Sequence, residues 1–479
     1  MKLVFQVILA AFLMSALTPA IASTRPKLIL LGKTAEESPP YALIDSLHSV
    51  ALAKGDGSRV AFGSYQAENA WRTYVWNRST GCIVSVPAIQ AGEDVCSPDG
   101  RPEKIYFCGI SSTGEYVVGY SVGEYGKGAF RWQWGATYAD DLLQIDFVSA
   151  ARASGVSTNG QYVAISGDLG LVCEPGFALA GRLNYLTPAY SIMDTTAWEC
   201  NDVPPPGVLA NAITAGGETL VGEVAIYTRC GDGEGPEGYA WRWNVGSSPS
   251  LILLDSQPVT GAAFGVSNDA STVVGFIYNF GYLAFRAVGG STNAELLADL
   301  PGSVLSSVAI DASPNWIVGT TSIDGYPRAT AWLGEDADPV DLNARYACLK
   351  PENLRLTAAT SVSDDGRYVA GRASYAAEST VWAWVVDHGS CPADFNEDGF
   401  VDDVDFVNYF TPAYTALVCS PCDATCETNC ARPSVFDCTD FSDSPYNACV
   451  GDLNWDGVVD DADFAIFVVS YNLLECPPD

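Results

Sequence analysis

The chain has 479 residues, with 57 acidic and 24 basic side chains and a formal net charge of −33. A surface this negative repels the phosphate backbone of nucleic acids and the headgroups of anionic membranes, which excludes both as partners. The length allows more than one domain, and 45 Gly, 23 Tyr and 12 Trp beside only 3 Met predict short strands joined by turns rather than helices.

Residues 1–22 have the pattern of a secretory signal peptide. Lys2 precedes an apolar run from Leu3 to Leu17, and Ala20-Ile21-Ala22 has the small-x-small pattern that a signal peptidase cleaves after. A membrane anchor is the alternative, but the run falls short of the roughly 20 residues that a span requires. We therefore expect a secreted protein, extracellular or at the cell surface, with no membrane span in the mature chain.

Residues 27–388 carry one pattern seven times. Its clearest copy is ISSTGEYVVGYSVGEYGKGAFRW, from Ile110 to Trp132. Each copy predicts an apolar strand, a turn rich in Ser, Asp and Gly, a Val-Val-Gly strand, an aromatic strand and a short closing strand. The last residue of the Val-Val-Gly segment or its counterpart recurs every 44 to 57 residues, at Phe62, Gly119, Ile165, Gly222, Gly275, Gly319 and Gly371.

Four short strands per roughly 40 to 50 residues is typical of a β-propeller blade. The seventh copy runs into Cys391 without its closing strand, whereas Lys27 to Gly32 (KLILLG) matches the closing strand that begins at Leu251 (LILLDS) and has no copy of its own. Pairing the two open edges would satisfy their backbone groups. The sequence therefore predicts an all-β, seven-bladed β-propeller closed by an N-terminal strand, with an open β-solenoid as the alternative.

The repeat resembles a known family. Its skeleton of Ser-x-Asp-Gly-x-x-Val-Val-Gly followed by Ala-Phe-Arg-Trp is similar to the HAF family of extracellular repeats, over roughly Lys27 to Asp387. The His that usually precedes Ala-Phe is absent in every copy, and the third copy has lost its aromatic strand signature. The resemblance implies a propeller and an extracellular setting but no established activity.

The sharpest chemical signal lies beyond residue 391, where eighteen acidic residues accompany a single basic one, Arg432. The segment DFNEDGFVDDVD begins at Asp394 and has the spacing of a twelve-residue calcium loop, with a glycine at position 6. Its predicted ligands at positions 1, 3, 5, 7, 9 and 12 are Asp394, Asn396, Asp398, the backbone carbonyl of Phe400, Asp402 and Asp405.

A second loop, DLNWDGVVDDAD, begins at Asp452 and agrees with the first at every ligand position. Its predicted ligands are Asp452, Asn454, Asp456, the backbone carbonyl of Val458, Asp460 and Asp463. The alternative is a solvated acidic turn. Without an ion, the four Asp carboxylates of each loop would repel one another, so we expect two calcium ions and folding that depends on them.

Each loop ends in Asp rather than the Glu of EF-hand sensors, and a short apolar helix is predicted to follow it. Paired loops of this kind resemble the dockerin type I module, which joins secreted enzymes to a partner called cohesin. The loops start 58 residues apart, with a Cys-rich insert from Cys419 to Cys449 between them. That form is similar to the Cys-containing dockerins at the C-termini of exported planctomycete proteins, which implies a small helical domain at 391–479 and a cohesin-like or surface-anchoring partner.

The chain contains 15 Cys, none of them in residues 1–22. In an exported protein, disulfides are expected rather than a zinc site. The odd number leaves at least one thiol unpaired or used between chains, and the spacing does not decide the pairs.

The chain has few residues of the types that usually act in catalysis. The two histidines, His48 and His388, are interpreted as structural. A glycoside hydrolase needs only two carboxylates, and the candidates have no spacing that singles them out: Asp146, Glu223 and Asp311. The aspartates that recur in the turns are interpreted as turn formers: Asp56, Asp269 and Asp365.

The sequence thus predicts a secreted calcium-binding protein whose propeller is a binding or display module, with polysaccharide as a possible ligand. The competing hypothesis is a polysaccharide-active enzyme, a glycoside hydrolase or lyase, that docks through the dockerin-like domain. Two or three carboxylates in a deep central pocket would favour the enzyme, which would then be a hydrolase of O-glycosyl bonds.

Overall fold

The computed structural model describes residues 27–34, 50–66, 70–87, 104–123, 126–142, 148–169, 177–187, 189–195, 207–226, 237–258, 260–333, 337–351, 353–375 and 381–388. Towards the C-terminus it describes residues 403, 406–411, 435–437, 461, 464 and 467–468. The chain divides into two compact units, Leu28–Val386 and Met1–Lys27 together with Asp387–Asp479. The predicted signal peptide lies outside the described residues.

The unit Leu28–Val386 is built from strands, so the predicted all-β class is confirmed. The first strand, β1, is Lys27–Thr34. Four groups of four antiparallel strands follow in chain order. The first group is β2 (Val50–Leu52), β3 (Arg59–Gln66), β4 (Ala70–Asn77) and β5 (Ile83–Ser85), and the second is β6 (Lys104–Ile110), β7 (Tyr116–Gly123), β8 (Gly126–Gln133) and β9 (Asp140–Asp141). The third is β10 (Val148–Val156), β11 (Tyr162–Leu169), β12 (Phe177–Asn184) and β13 (Ala189–Ile192), and the fourth is β14 (Gly207–Ile213), β15 (Thr219–Ile226), β16 (Glu237–Asn244) and β17 (Ser250–Leu251).

A small hairpin, β18 (Leu253–Leu254) and β19 (Gln257–Pro258), precedes the fifth group. The fifth group is β20 (Gly261–Val266), β21 (Thr272–Tyr278), β22 (Tyr282–Val288) and β23 (Glu295–Leu296), and the sixth is β24 (Ser303–Ala312), β25 (Trp316–Ile323), β26 (Tyr326–Leu333) and β27 (Asp338–Asp341). One parallel residue pair, Tyr282 with Ser306, links these two groups. The seventh group is β28 (Leu354–Val362), β29 (Tyr368–Tyr375) and β30 (Val381–Asp387), and β1 lies next to β30 in the same sheet.

Helices are short in the described residues. The helix α1 (Leu342–Arg345) starts where the Asp341 side chain accepts a hydrogen bond from the Asn343 N–H at 2.8 Å, and a 3₁₀ turn, Ala347–Leu349, follows it. None of the described helices has the length and apolar character that crossing a membrane demands.

The recurring glycine of the Val-Val-Gly segment is explained by a bulge in the neighbouring first strand. In the second group the register between β6 and β7 shifts between Phe107 and Gly109. A Cβ at Gly119 would overlap the carbonyl oxygen of Tyr106. The same overlap with a first-strand carbonyl recurs at Gly222, Gly275, Gly319 and Gly371, so the bulge and the glycine occur together.

The turn after each first strand packs on the preceding group. Gly160 has a φ of 70°, and a Cβ there would lie 2.6 Å from the Tyr116 ring of the second group. Only glycine satisfies both the left-handed backbone and the close approach. Gly217 stands in the same relation to Tyr162 of the third group.

Neighbouring groups also share apolar cores. Five separate clusters each contain residues of two consecutive groups. The pairs, from the first and second groups to the fifth and sixth, are Val75 with Phe107, Val118 with Val163, Ala180 with Trp241, Val221 with Phe285, and Val274 with Trp332. Between the sixth and seventh groups, the Thr320 hydroxyl donates to the Thr357 carbonyl at 2.9 Å. Each group is therefore stabilised by the next one along the chain.

The seventh group contacts the first in the same way. One cluster contains Val60 of the first group and Tyr368 of the seventh, and the Thr360 hydroxyl donates to the Val50 carbonyl at 2.7 Å. The turn residue Gly57, with a φ of 62°, lies against the buried Tyr368 ring. The relation of Gly57 to Tyr368 repeats the relation of Gly160 to Tyr116.

We predict that Gly57→Ala destabilises the protein more than Gly81→Ala. Both glycines have similar left-handed φ values, 62° and 66°, so the backbone strain of an alanine is matched. A Cβ at position 57 would overlap the Tyr368 ring, whereas nothing lies within 4 Å of one at position 81. Overpacking of this kind costs about 1–3 kcal/mol. Urea denaturation of the two variants measures the difference, and equal losses would show that the contact between the first and seventh groups contributes nothing.

Candidate functional site

The twelve predicted calcium ligands, six in the loop 394–405 and six in the loop 452–463, lie outside the described residues. After the loops the structure describes residues 406–411 and residues 464, 467 and 468. Phe406 follows the last residue of the first loop, and Phe464 follows the last residue of the second. Phe406–Phe410 forms a π-helical turn.

These two exit segments pack together through four phenylalanine rings. The Phe406 centroid lies 6.2 Å from that of Phe464 and 5.4 Å from that of Phe467, and the Phe410 centroid lies 5.0 Å from that of Phe467. Phe410 and Phe467 are buried. Residues at the same position after the two predicted loops are therefore in contact.

A second candidate site is a charged cluster in the β unit, formed by Lys54, Asn268, Asp311 and Asp364, which we call the Lys54 cluster. The Lys54 ammonium forms an ion pair with Asp311 Oδ1 and donates to the carbonyl oxygens of Val266 at 2.9 Å and of Ala312 at 3.4 Å. The side chain of Lys54 is 18% exposed and that of Asp311 is 7% exposed. Lys54 belongs to the turn of the first group, but its partners belong to the fifth and sixth groups.

Both oxygens of Asp311 have further donors. Oδ1 accepts from the Ala312 N–H at 2.9 Å, and Oδ2 accepts from the Ser361 hydroxyl at 3.1 Å and from the Val362 N–H at 3.2 Å. A carboxylate with this many hydrogen-bond donors joins the strands that carry them and balances the charge of the Lys54 ammonium.

Asp364 connects the seventh group to the same cluster. Its N–H donates to the Lys54 carbonyl at 2.7 Å, and its Oδ2 accepts from the Asn268 side chain at 2.7 Å. Its Oδ1 is buried without a hydrogen-bond partner among the described residues. Burial raises the pKa of the Asp364 carboxyl, while Asn268 and Lys54 favour the ionised form.

The geometry of the Lys54 cluster fits a brace better than a reaction centre. One ammonium is surrounded by a carboxylate and two carbonyl oxygens, a donor set that could equally hold a metal cation. These ligands come from the fifth and sixth groups, and the backbone of the same lysine is held by the seventh. Lys54 thus links the first group to the fifth and sixth through its side chain and to the seventh through its backbone.

The structure places the candidate catalytic carboxylates differently. Asp146 lies outside the described residues, and Asp311 is fully engaged in the Lys54 cluster. Glu223 lies on β15, and burial raises the pKa of its carboxyl although Arg152 opposes the shift. Of the histidines, His388 is buried and His48 lies outside the described residues.

The interpretation of the recurring aspartates as turn formers is confirmed. Asp269 accepts from the Ser267 hydroxyl at 2.6 Å and from the Ser271 N–H at 2.9 Å. Asp365 accepts from the hydroxyl of Ser363 and from the Arg367 N–H. Asp56 likewise accepts from the Ser58 N–H at 2.9 Å. These side chains close their own turns.

Sequence reasoning missed Lys54, and its alignment of the sixth copy is wrong. Counting back nine residues from the anchors Gly319 and Gly275 equates Ile310 with Val266, but the strand register pairs Ala312 with Ile317 as it pairs Val266 with Val273. The sixth turn is therefore two residues shorter than the fifth. Asp311 occupies the position that Gly265 holds in the fifth group. The available signal was a lysine and an aspartate at positions where other copies carry small or neutral residues.

Among solved structures, the β-propeller domain of the trilobed protease from Pyrococcus furiosus is similar to this chain, with 9% identity over 70% of this chain and 94% of that one and a TM-score of 0.45. Oligogalacturonate lyase from Vibrio parahaemolyticus matches at 11% identity over 76% of this chain and 94% of that one, with a TM-score of 0.47. TolB from Acinetobacter baumannii matches at 13% identity over 59% of this chain and 66% of that one, with a TM-score of 0.35. No protein-family model and no curated protein matches the chain.

We predict that Lys54→Met destabilises the β unit by about 3 kcal/mol, the lower end of the range for breaking a buried pair, because Lys54 keeps some exposure. Asp311 would be left buried without its cation. The double variant Lys54→Met/Asp311→Leu should recover much of this loss, since the unpaired charge is gone. Glu115→Gln is the control, because it breaks an exposed ion pair with Arg59 and should cost less than about 1 kcal/mol. A Lys54→Met loss no larger than that of the control, in denaturant titrations, would contradict the brace.

Proposed function

We propose that residues 27–388 form a seven-bladed β-propeller closed by β1, and that this propeller is the binding or display module of a secreted protein. The C-terminal region, residues 391–479, is proposed to be a calcium-folded, dockerin-like domain that attaches the protein to the cell surface or to an extracellular complex. The similarity of the repeats to the HAF family supports the extracellular setting.

The observation that carries the propeller is the convergence of turns on Lys54. The first and fifth groups are separated by three other groups in sequence, yet Lys54 of the first donates to Val266 of the fifth. Stacked sheets lie about 10 Å apart, so an open solenoid would place these turns several layers from each other, beyond the reach of one side chain. A ring whose first strands line the centre brings all the turns together.

Closure by β1 is supported by its position and its packing. It lies beside β30 and so supplies the fourth strand that the seventh copy lacks. Leu28 and Leu31 of β1 are buried, and Leu31 belongs to the cluster that joins Val60 to Tyr368. One strand thus contributes to the sheet of the last group and to the core shared with the first.

Two calcium ions are proposed for the loops that begin at Asp394 and Asp452. The donor set suits Ca²⁺, since each loop supplies four Asp carboxylates, one Asn amide oxygen and one backbone carbonyl. The ring contact between Phe406 and Phe464 supports a paired arrangement, because these residues leave the two loops at equivalent positions. Calcium would neutralise the loops and allow the phenylalanine cluster to form.

The proposed partner of this C-terminal domain is a cohesin-like or surface-anchoring protein, and disulfides are proposed for the exported chain. Of the described cysteines, Cys82 is an exposed thiol. The competing proposal is a polysaccharide-active enzyme, and the raised pKa of Glu223 is the observation in its favour, because a general acid needs such a shift. The full engagement of Asp311 weighs against a second carboxylate from that position.

Deleting residues 27–34 is predicted to lower the melting temperature clearly. The deletion exposes one edge of β30 and removes the buried side chains of Leu28 and Leu31, which together contribute about 3–6 kcal/mol. A chain that starts at Pro26 is the control and should melt like the full mature protein. Circular dichroism melts of the two chains measure the effect, and an unchanged melting temperature after the deletion would count against closure.

Isothermal titration calorimetry of the full chain is predicted to show two calcium ions, with proton release that increases at low pH. Asp394→Ala should remove one ion and Asp452→Ala the other, because each is the first ligand of its loop. Asp403→Ala and Asp461→Ala are matched controls at loop position 10, where the side chains are exposed and no ligand is predicted, so both ions should remain. Equal losses in the position 1 and position 10 variants, or no uptake by the native chain, would refute the loop assignment.

A further inference from the structure

An arginine recurs at one position of the third strand in the second to fifth groups. In the first three of these it donates a hydrogen bond to the next group. Arg131 Nε donates to the Gly160 carbonyl at 3.0 Å, Arg182 Nη1 to the Gly217 carbonyl at 3.1 Å, and Arg242 Nη2 to the Ala270 carbonyl at 3.0 Å. Each carbonyl belongs to the turn of the next group. These arginines therefore clamp neighbouring groups together.

The fourth arginine, Arg286, cannot form this clamp. It pairs with Val274 in register as Arg242 pairs with Val221. The turn it faces is the short one of the sixth group, which the Ser313 N–H closes on the Trp316 carbonyl three residues later, whereas the Ser267 N–H closes the fifth turn on the Thr272 carbonyl five residues later. Among the described residues Arg286 donates instead to Glu295 alone, with Nε 3.1 Å from Oε2, and the Glu295 side chain is 59% exposed.

The missing turn residues leave a cleft of about 260 Å³ between the fifth and sixth groups. Its lining combines polar groups with aromatic walls, namely Thr272, Arg286, Glu295, Asn315, Trp316 and Trp332. A few convergent polar groups on an aromatic wall are typical of small-molecule sites. The volume suits a ligand with a single ring rather than a polymer segment.

We propose that this cleft binds a small molecule through a carboxylate held by Arg286. Among the described residues nothing engages Nη1 and Nη2 of Arg286, so the guanidinium offers parallel N–H groups that a carboxylate matches in bidentate fashion. Glu295 is a weak competitor, because an exposed ion pair contributes little. The inference rests on the proposed binding role of the propeller and names the class of ligand for it.

The test uses two matched pairs of probes on the full chain at millimolar concentration: D-glucuronate with D-glucose, and phenylacetate with phenylacetamide. Ligand-observed NMR and calorimetry are expected to show saturable binding of at least one carboxylate. Its neutral counterpart should bind at least about tenfold more weakly, because it lacks the charge-assisted pair of hydrogen bonds to Arg286. Equal binding of the neutral partner, or no binding of either carboxylate, would overturn the proposal.

Three variants assign the binding to Arg286. Arg286→Gln should weaken the carboxylate at least about tenfold without lowering the melting temperature, because Arg286 clamps no turn. Glu295→Gln should strengthen it, since the competing carboxylate is gone, and a misfolded variant cannot mimic a gain. Arg242→Gln, the matched control in the fourth group, should lower the melting temperature and leave binding unchanged.

Weaker binding by Glu295→Gln, or an Arg286→Gln variant that still binds, would overturn the site. This outcome is separable from failure of the proposed architecture. A chain that melts lower without β1 but binds no carboxylate keeps the ring and loses only the ligand.

Discussion

The contact between a turn glycine and the side chain that opens the second strand of the preceding group holds the β unit together. In five groups it combines a left-handed backbone with a position where a Cβ would meet the neighbouring side chain, and the residue there is glycine in all five. It also has a direction, because each of these turns contacts the group before it, whereas the fifth group has Ala270 at the left-handed position. The contacts are Gly114 on Arg59, Gly160 on Tyr116, Gly217 on Tyr162, Gly366 on Trp316 and Gly57 on Tyr368. The last of these joins the seventh group to the first with no change in the pattern.

Much of the β architecture could be predicted from the sequence, because its constraints are local. The Val-Val-Gly anchor is visible since a bulged first strand excludes any side chain there, and every predicted aromatic strand lies in a strand of the structure. In the third copy, whose sequence lacks the aromatic strand signature, the corresponding strand β12 is present. Its buried Ala180 and Leu183 pack in clusters with the neighbouring groups, and that packing does not require aromatic rings.

The Lys54 cluster could not be predicted in the same way. Lys54 and Asp311 lie in different copies, and only the fold brings the first and sixth groups together at this point. The length of the sixth turn also could not be predicted from the sequence, because an anchor glycine locates the second strand but does not fix the number of residues in the turn before it. A buried charge at a position that other copies fill with small residues has to find a partner. Two opposite charges at irregular positions of a repeat are therefore a usable signal for a contact across the fold.

Residues that recur between the repeats and positions where one repeat departs from the others have different physical meanings in this chain. A residue that recurs at one position of several copies reports packing between neighbours, as the clamp arginines of the second, third and fourth groups do. The fifth group has an arginine at this position, Arg286, but this arginine donates no hydrogen bond to the next turn, because the sixth turn is shorter. The fifth group thereby lacks this hydrogen bond between groups, and its guanidinium, on a side chain 19% exposed, lines a cleft with two tryptophans. Among the described residues Arg286 keeps only its ion pair with the exposed Glu295, and that arrangement is the physical basis of the ligand site proposed above.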